Sequence, residues 1–351
     1  MPASPTQTGR NPLMAADGGV PSSVPSALGA ATADELDAVA AALGPMVGHD
    51  VPLADRTTYR VGGSAALLVS PTGIDDLVVV ASALGSTSVP VLVVGRGSNL
   101  LVADAGFGGL VVVLDEGFDD IVIDGTAVHV GAGASLPVVA RRTAAAGLCG
   151  FEWAVGVPGS IGGAVRMNAG GHGADMAAAV RRVRLFGLRT GEDVWVPAEA
   201  LDFHYRHSCV PDDTVVVSVE LALSPGVRAD SEASIADIVA WRRANQPGGA
   251  NAGSVFTNPP GDSAGRLIDA AGGKGLRIGT AEVSTKHANF IQADPGGSAD
   301  DVAAVMQAVT TLVRDATGVE LVPETRMVGF AGTLGGPAAA PSRPDPSRGD
   351  S

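Results

Sequence analysis

Three polar residues stand in apolar surroundings and are candidates for reactive groups. Arg206 lies in the segment FHYRHS, and its planar guanidinium can bind a carboxylate through two hydrogen bonds. Ser254 follows a glycine in AGSVFTNP, and its hydroxyl can donate a proton. Glu324 follows a proline in LVPETRMVG. Each has a structural alternative: a surface arginine, a turn serine, and a glutamate paired with Arg326 on the same strand face.

Two other kinds of site are disfavoured around these residues. No G-x-S-x-G pattern surrounds Ser254, so a hydrolase nucleophile is not expected. His204 and His207 flank Arg206, but we find no acidic companion for them in the sequence. We therefore assign them no role as metal ligands, and we expect no metal.

Two glycine-rich segments are candidates for holding phosphate groups. In VLVVGRGSNLLVAD a strand runs into glycines that allow close approach of a phosphate, and an ordinary β-turn is the alternative. GVPGSIGGAVRMNAGGHGAD is too glycine-dense to predict a helix or a regular strand. Neither segment fits the Rossmann or the P-loop pattern. Together they indicate one large cofactor, with these candidate contacts: Gly95, Arg96, Gly97, Ser98, Asn99, Gly156, Pro158, Gly159, Ser160, Gly162, Gly163, Asn168, Gly170 and Gly173.

The charge pattern excludes some partners. The chain has 351 residues, 23 Lys and Arg, 37 Asp and Glu, and a formal net charge of −14. Such a surface repels nucleic acid and anionic membranes. Most of the cations lie between Arg141 and Lys286. This clustering favours a pocket for an anion within an acidic protein, although some of these arginines are expected to be only solvated surface charges.

Hydrophobic patterning divides the chain. Residues 1–30 and 332–351 are rich in Pro, Ser, Gly and Ala and predict disordered tails. Thr32 and Glu35 have capping-box spacing at the start of a helix over 32–43. Strand-like runs follow, interrupted by a predicted helix over 136–146, and a helix-rich unit begins near residue 225. No apolar run reaches the roughly 18 residues of a membrane span, and no signal peptide is apparent, so we expect a cytoplasmic protein without disulfides.

Seven motifs occur in an order and spacing that resembles the UDP-N-acetylenolpyruvoylglucosamine reductase family. They are TTYRVGGSA, GRGSNLLV, GVPGSIGGAVRMNAGGHG, YRHS, GSVFTNP, GLRIGTAEVSTKHANFI and LVPETRMVG, and they cover roughly residues 55–329. The resemblance is greatest to the shorter subgroup of that family, which lacks a tyrosine-bearing loop.

The resemblance implies the fold and the cofactor. We expect an α+β protein with an FAD-binding fold of the vanillyl-alcohol-oxidase type over residues 31–224, made of two α+β subdomains over about 31–114 and 115–224. An α+β substrate-binding domain is expected over residues 225–331. FAD is expected to bind non-covalently, with NADPH as co-substrate and UDP-N-acetylglucosamine enolpyruvate as substrate. The implied product is UDP-N-acetylmuramate, a precursor of peptidoglycan.

The resemblance also implies roles for single residues. Arg206 matches the family's catalytic arginine, Ser254 its proton donor and Glu324 its catalytic glutamate. Hydride addition to an enol ether beside a carboxylate builds negative charge that a cation and an acid can stabilise. Further substrate contacts are expected from Arg206, Asn258, Lys274 and Lys286. One departure is Thr257, where many relatives have lysine.

Two alternatives remain at this point. A sugar or lactone oxidase of the same fold would use O₂ and often holds its flavin covalently through His or Cys, for which His172 is the only candidate within a glycine-rich loop. A catalytically inactive regulator that binds nucleotide sugars would be favoured if Arg206, Ser254 or Glu324 were absent, and all three are present. The chain is expected to be a monomer.

Overall fold

The computed structural model describes residues 19–20, 31–114 and 116–333 of the chain. The expected tails, 1–30 and 332–351, lie almost wholly outside these residues. Within the described part the α-helices are α1 Ala33–Leu43, α2 Ile74–Leu84, α3 Leu136–Ala145, α4 Ile161–Arg166, α5 Arg228–Asn245, α6 Ala264–Ala270 and α7 Ala299–Thr317.

The strands are short and spread over the whole described chain. They are β1 Val47–Pro52, β2 Ser64–Val69, β3 Val91–Val94, β4 Leu100–Val102, β5 Phe107–Val113, β6 Ile121–Asp124, β7 Ala127–Gly131, β8 Leu148–Cys149, β9 Gly170–Gly171, β10 Ala174–Asp175, β11 Val180–Gly187, β12 Asp193–Pro197, β13 Thr214–Ala222, β14 Ser224–Pro225, β15 Arg277–Ile278, β16 Ala281–Val283, β17 Ile291–Ala293 and β18 Arg326–Val328.

A four-stranded mixed sheet forms the first layer. Its order is β1-β2-β5-β3, and β5 runs parallel to both β2 and β3. Helix α1 packs against α2 beside this sheet. The expected capping box is confirmed: the Thr32 hydroxyl accepts from the Glu35 amide, and the Glu35 carboxylate accepts from the Thr32 amide.

A five-stranded antiparallel sheet, in the order β12-β11-β13-β7-β6, forms the second layer. Helix α4 packs on β13, and α3 packs beside α5. The expected helix over 136–146 is confirmed, and Gly147 follows it in the left-handed region at φ 74°. One buried cluster contains Leu77 and Leu110 from the first layer together with Val183 and Val219 from the second, so the two layers share a core.

A separate buried cluster lies between α6, α7 and the sheet β15-β16-β17. The apolar face of α7, with Val302, Val305 and Val309, is buried in it. Tyr59 and Leu101 from the N-terminal half join the same cluster. Helix α5, by contrast, belongs to the first core. The boundary at residue 225 therefore stays a prediction.

The glycine-dense segment departs from its expected structure. The prediction that it holds no helix was wrong, because α4 occupies Ile161–Arg166. Gly162 permits this helix to pack closely against Ala132. A Cβ at position 162 would lie 2.8 Å from the Ala132 Cβ, so only glycine allows this contact. Tertiary packing overrides the low helix propensity of glycine here.

Among the described residues, none of the helices combines the length and the apolar character needed to cross a membrane.

Candidate active site

The two glycine-rich segments meet at one cavity. The first is the turn that follows β3 and runs from Gly95 to Asn99, and the second is the stretch from Gly156 to Gly163 that leads into α4. They line a cavity of about 300 Å³, which adjoins a second cavity of about 960 Å³ with shared lining residues. The combined space is in the range of a large ligand.

Close backbone contacts shape the first glycine turn. Gly97 has φ 57°, and a Cβ there would lie 2.0 Å from the backbone oxygen of Arg56. A Cβ on Gly95 would lie 2.2 Å from the Ser160 Oγ, so the two glycine segments touch. Only glycine allows this approach, and it leaves backbone rather than side chains at the cavity wall.

Side-chain hydrogen bonds fix the second segment. The Ser160 hydroxyl accepts from the Gly163 amide at 3.4 Å and caps α4. The Ser98 hydroxyl donates to the Pro158 carbonyl at 3.0 Å and joins the two segments. Both segments are therefore held before any ligand arrives, which reduces the ordering cost of binding.

Arg206 and Glu324 meet at the wall of the same cavity. The Arg206 Nε donates to the Glu324 Oε1 at 2.7 Å, and its Nη2 donates to the Gly170 carbonyl at 3.2 Å. Burial raises the pKa of Glu324 above its usual range, against the lowering effect of the Arg206 charge and hydrogen bond. Of the two alternatives for Glu324, a pair with Arg326 or a functional role, the pair with Arg326 does not form, because Glu324 pairs with Arg206 instead.

Backbone bonds bring Ser254 to Glu324. The Glu324 amide donates to the Val255 carbonyl at 2.7 Å, and Ser254 precedes Val255 in the chain. The Glu324 carbonyl accepts from the Asn99 Nδ2 at 3.0 Å, which ties this segment to the first glycine turn. Ser254 is half-buried and lines the cavity, and among the described residues its hydroxyl has no hydrogen-bond partner. It is therefore free to face a ligand.

Sequence reasoning missed a second ion-pair group in this wall. Asp212 Oδ1 accepts from Arg166 at 2.9 Å and from Arg326 at 2.8 Å, and all three residues line the cavity. Burial raises the pKa of Asp212, but the two arginines outweigh it and bring that pKa to about 2. The only sequence signal was an acidic pair, Asp212-Asp213, directly before a buried strand.

Helix α5 contributes a further arginine that the sequence did not single out. Arg242 donates to the Gly156 carbonyl and lines the cavity. Burial lowers the pKa of this guanidinium. With Arg96, Arg166, Arg206 and Arg326, it gives an acidic protein a cationic cavity, which is the setting that an anionic ligand requires.

Comparisons with known proteins agree with this geometry. Residues 65–196 match the family model of an FAD binding domain, and residues 245–328 match that of the UDP-N-acetylenolpyruvoylglucosamine reductase C-terminal domain. A reductase of this name from Acidiphilium cryptum is 44% identical over 81% of this chain and 92% of its own length. The chain belongs to the UDP-N-acetylenolpyruvoylglucosamine reductase family.

Two further comparisons support the assignment to the reductase family. The Rubrobacter xylanophilus reductase is 41% identical over 81% of this chain and 96% of its own length. The crystal structure of the Thermus caldophilus reductase superposes with a TM-score of 0.71 at 36% identity, and the match covers 80% of this chain and 98% of that one. The expected α+β fold with an FAD-binding domain and the expected FAD cofactor are confirmed.

Some residues expected at the reductase site lie away from the cavity wall. Asn168 is buried, donates to the Asp175 carboxylate and the His204 carbonyl, and so braces the second glycine segment. Gly173 has φ 88° in the turn between β9 and β10. Their expected cofactor contacts stay predictions.

The expected substrate contacts outside the catalytic group have protein partners. Asn258 Oδ1 accepts from the Ala264 amide at 3.0 Å at the start of α6. Lys274 Nζ lies 2.6 Å from Asp269 Oδ2, and Lys286 Nζ donates to the Arg243 carbonyl at 2.6 Å. None of the three is among the residues that line the cavity described above. Their roles in substrate binding stay predictions.

The view that His204 and His207 lack an acidic companion was wrong. Asp202 Oδ2 lies 4.0 Å from His204 Nδ1, and donor atoms of the three residues lie within 4.8 Å of one another. The sequence already held this signal, because Asp202 stands two residues before His204.

Proposed function

We propose that this protein catalyses the NADPH-dependent reduction of UDP-N-acetylglucosamine enolpyruvate to UDP-N-acetylmuramate, with non-covalently bound FAD, in peptidoglycan precursor synthesis. The observation that carries the proposal is the meeting of Arg206, Glu324 and Ser254 at a cationic cavity that two glycine-rich segments line. Membership of the reductase family supports the same reaction.

The two glycine segments suit the cofactor. FAD carries a pyrophosphate, and Gly95–Asn99 and Gly156–Gly163 present backbone amides at a wall that side chains would block. FAD supplies hydride transfer between NADPH and the substrate. The protein's own groups bind, orient and protonate.

Arg206 and Glu324 suit the substrate carboxylate. Hydride addition to the terminal vinyl carbon places negative charge on the adjacent carbon and its carboxylate. A protonated Glu324 releases Arg206 from their ion pair, so that the guanidinium can bind that carboxylate while Glu324 donates a hydrogen bond to it. The raised pKa of Glu324 favours this protonated form.

Ser254 completes the reaction. Its Oγ–H donates a proton to the carbon next to the carboxylate and forms one new C–H bond there. The other new C–H bond, on the terminal vinyl carbon, comes from the hydride. The carbon–carbon double bond becomes a single bond, and water returns the proton to the serine oxygen. Thr257, where relatives often have lysine, donates to the Val322 carbonyl at 3.3 Å and takes no part in this scheme.

The oxidase alternative, with covalently held flavin, has less support. Covalent flavin attachment would need a nucleophile at the cavity, and His172, Cys149 and Cys209 are not among the residues that line it. His172 instead lies edge-on to Trp241, with ring centroids 5.3 Å apart.

The visible spectrum of the purified protein tests the proposal. Under nitrogen, NADPH should bleach the flavin band, and UDP-N-acetylglucosamine enolpyruvate should restore it with formation of UDP-N-acetylmuramate. Acid precipitation should release all yellow colour into the supernatant. An enzyme that only O₂ reoxidises would be an oxidase, and a bleached flavin that the sugar nucleotide leaves unchanged would indicate the inactive regulator.

A further inference from the structure

A tight hairpin carries Arg206 and brings two histidines together. His204 and His207 exchange two backbone hydrogen bonds, of 3.2 and 3.0 Å, across a two-residue turn made of Tyr205 and Arg206. Residues paired in this way direct their side chains to the same face. The two imidazole rings accordingly stack, with centroids 4.0 Å apart and planes inclined by 26°.

Asp202 supplies a third donor on the same side. Its backbone is left-handed, at φ 47°, and its carbonyl lies 3.0 Å from His204 Nδ1. The Asp202 carboxylate Oδ2 lies 4.0 Å from the same ring nitrogen. The Asp202 side chain is 75% exposed and that of His204 is 59% exposed, so an ion can reach the group from solvent.

Two imidazole nitrogens and one carboxylate oxygen match the chemistry of zinc. Zn²⁺ binds His nitrogen and Asp oxygen at about 2.0–2.2 Å, and three protein ligands leave a fourth position for water. Tetrahedral bonds of that length place ligand atoms roughly 3.3 Å apart. The donor atoms here lie within 4.8 Å of one another, and rotation of exposed side chains can close the difference.

We propose that Asp202, His204 and His207 form a surface site for a divalent transition-metal ion, best matched by Zn²⁺. The site is separate from the proposed reductase chemistry and does not depend on it. A bound ion would cross-link the two arms of the hairpin whose turn holds Arg206. Two other contacts anchor this hairpin: the His204 carbonyl accepts from Asn168, and Arg206 pairs with Glu324.

Calorimetric titration of Zn²⁺ into the tag-free, FAD-loaded protein tests the site. One ion should bind per chain, and Co²⁺ at the same site should give the visible absorption of a site with nitrogen and oxygen ligands. His204→Gln and His207→Gln should each lower the Zn²⁺ affinity by more than about 10-fold, because even supporting groups around a metal are worth that much. Asp202→Asn should weaken binding by a similar factor.

His49→Gln is the matched control, since His49 is an exposed histidine on β1. This variant should bind Zn²⁺ as the wild type does. The flavin spectrum of each variant checks that the fold is retained. A wild-type protein that takes up no Zn²⁺ would overturn the proposal, and so would a His204→Gln/His207→Gln double variant that binds it unchanged. If only one histidine variant folds, it is titrated together with Asp202→Asn. Weakened Zn²⁺ binding in both supports the site, and unchanged binding in both overturns it.

Discussion

The proposed reactive side chains are held in place through their backbones. The Glu324 amide donates a hydrogen bond to the Val255 carbonyl, and the Glu324 carbonyl accepts one from the Asn99 side chain. The Val255 amide in turn donates to the Asn289 carbonyl at 2.9 Å. The backbone pair of His204 and His207, on either side of the turn, holds Arg206. Substitution of a reactive side chain therefore removes its chemistry and leaves its position intact.

Ser254→Ala should slow only one half of the reaction cycle. Flavin reduction by NADPH needs no proton from Ser254, so its rate should stay close to that of the wild type. Reoxidation by the enolpyruvyl substrate should fall by about 10²–10⁴, the usual contribution of one acid–base group. Ser254→Cys should recover part of this loss, because a thiol can also donate a proton.

Stopped-flow absorbance at the flavin band measures the two halves separately. Ser224→Ala is the matched control, because Ser224 is exposed on β14 and lies outside the cavity wall. Reoxidation of Ser254→Ala at the wild-type rate would leave Ser254 as a turn residue only.

Glu324 should set a pH dependence of the substrate half-reaction. The scheme needs its protonated form, and burial raises its pKa above the ordinary value of 4.5. The rate of reoxidation should therefore fall as pH rises through this elevated pKa, while flavin reduction shows no such fall. In Glu324→Gln the amide keeps a hydrogen-bond donor without a titrating proton, so the pH dependence should disappear. A Glu324→Gln profile with the same inflection would assign it to another group.

At the scale of elements, the first glycine turn should decide cofactor affinity. In Gly97→Ala the new Cβ would lie 2.0 Å from a backbone oxygen, and the backbone at φ 57° adds strain. The turn must shift, and overpacking of about 1–3 kcal/mol corresponds to a loss of FAD affinity of roughly 5- to 150-fold. Flavin fluorescence titration of the apoprotein measures this affinity.

Gly125→Ala separates backbone strain from the clash. Gly125 has φ 59°, nearly the angle of Gly97, but apart from its chain neighbours no atom of the described residues lies within 4 Å of the position that its Cβ would take. The FAD affinity of Gly125→Ala should match that of the wild type. If Gly97→Ala and Gly125→Ala bind FAD with equal affinity, Gly97 is not part of the cofactor site.

Asp212 should stabilise the wall that it shares with α4 and β18. Its lowered pKa means that it contributes stability above its ordinary pKa of 3.8 and loses it as pH falls toward about 2. Asp212→Asn should lower the unfolding free energy by about 1–2 kcal/mol at neutral pH, after allowance for its partial exposure. The variant also leaves Arg166 and Arg326 without their shared counter-charge.

Urea unfolding in excess FAD, repeated from pH 7 down to pH 3, tests this expectation. The difference between wild type and Asp212→Asn should shrink only below about pH 4. Asp237→Asn, at an exposed position on α5, should match the wild type throughout. If the difference in unfolding free energy between wild type and Asp212→Asn is the same at every pH, the loss comes from packing and not from the charge of Asp212.

Local signals in the sequence predicted the elements better than the pairings between them. The capping box of α1 and the glycine after α3 are properties of neighbouring residues, so they could be read directly. The partner of Glu324 could not, because Arg206 lies 118 residues away and spacing along the chain offered only Arg326 as a candidate partner. Asp212 was missed for the same reason.

At the scale of the whole molecule, opposite charges separate surface from cavity. The chain carries a formal charge of −14, while five arginines line the cavity. NADPH and a nucleotide sugar are both polyanions, and the proposed reaction brings each of them to this cationic cavity. The expectation of a monomer stays a prediction.

Steady-state kinetics should follow from this shared space. In the proposed reaction both ligands must reach the flavin along the same cationic wall, where only one of them can lie against it at a time. NADP should therefore leave before the sugar nucleotide binds, which gives parallel lines in double-reciprocal plots. Excess sugar nucleotide should inhibit competitively against NADPH. Lines that intersect would show that both ligands bind together.

The pairing of β18 with β4 has a consequence for synthesis on the ribosome. Arg326–Val328 runs parallel to Leu100–Val102, and those three β4 residues are buried in the finished protein. Roughly 220 residues separate the two strands, so at about 5–20 residues per second β4 waits on the order of 10–45 s for its partner. During that time an apolar strand has an open edge, the kind of surface that chaperones cover and that aggregates recruit. Glu324 lies directly before this late strand, so the nascent chain can assemble its proposed reactive group only after β18 has been made.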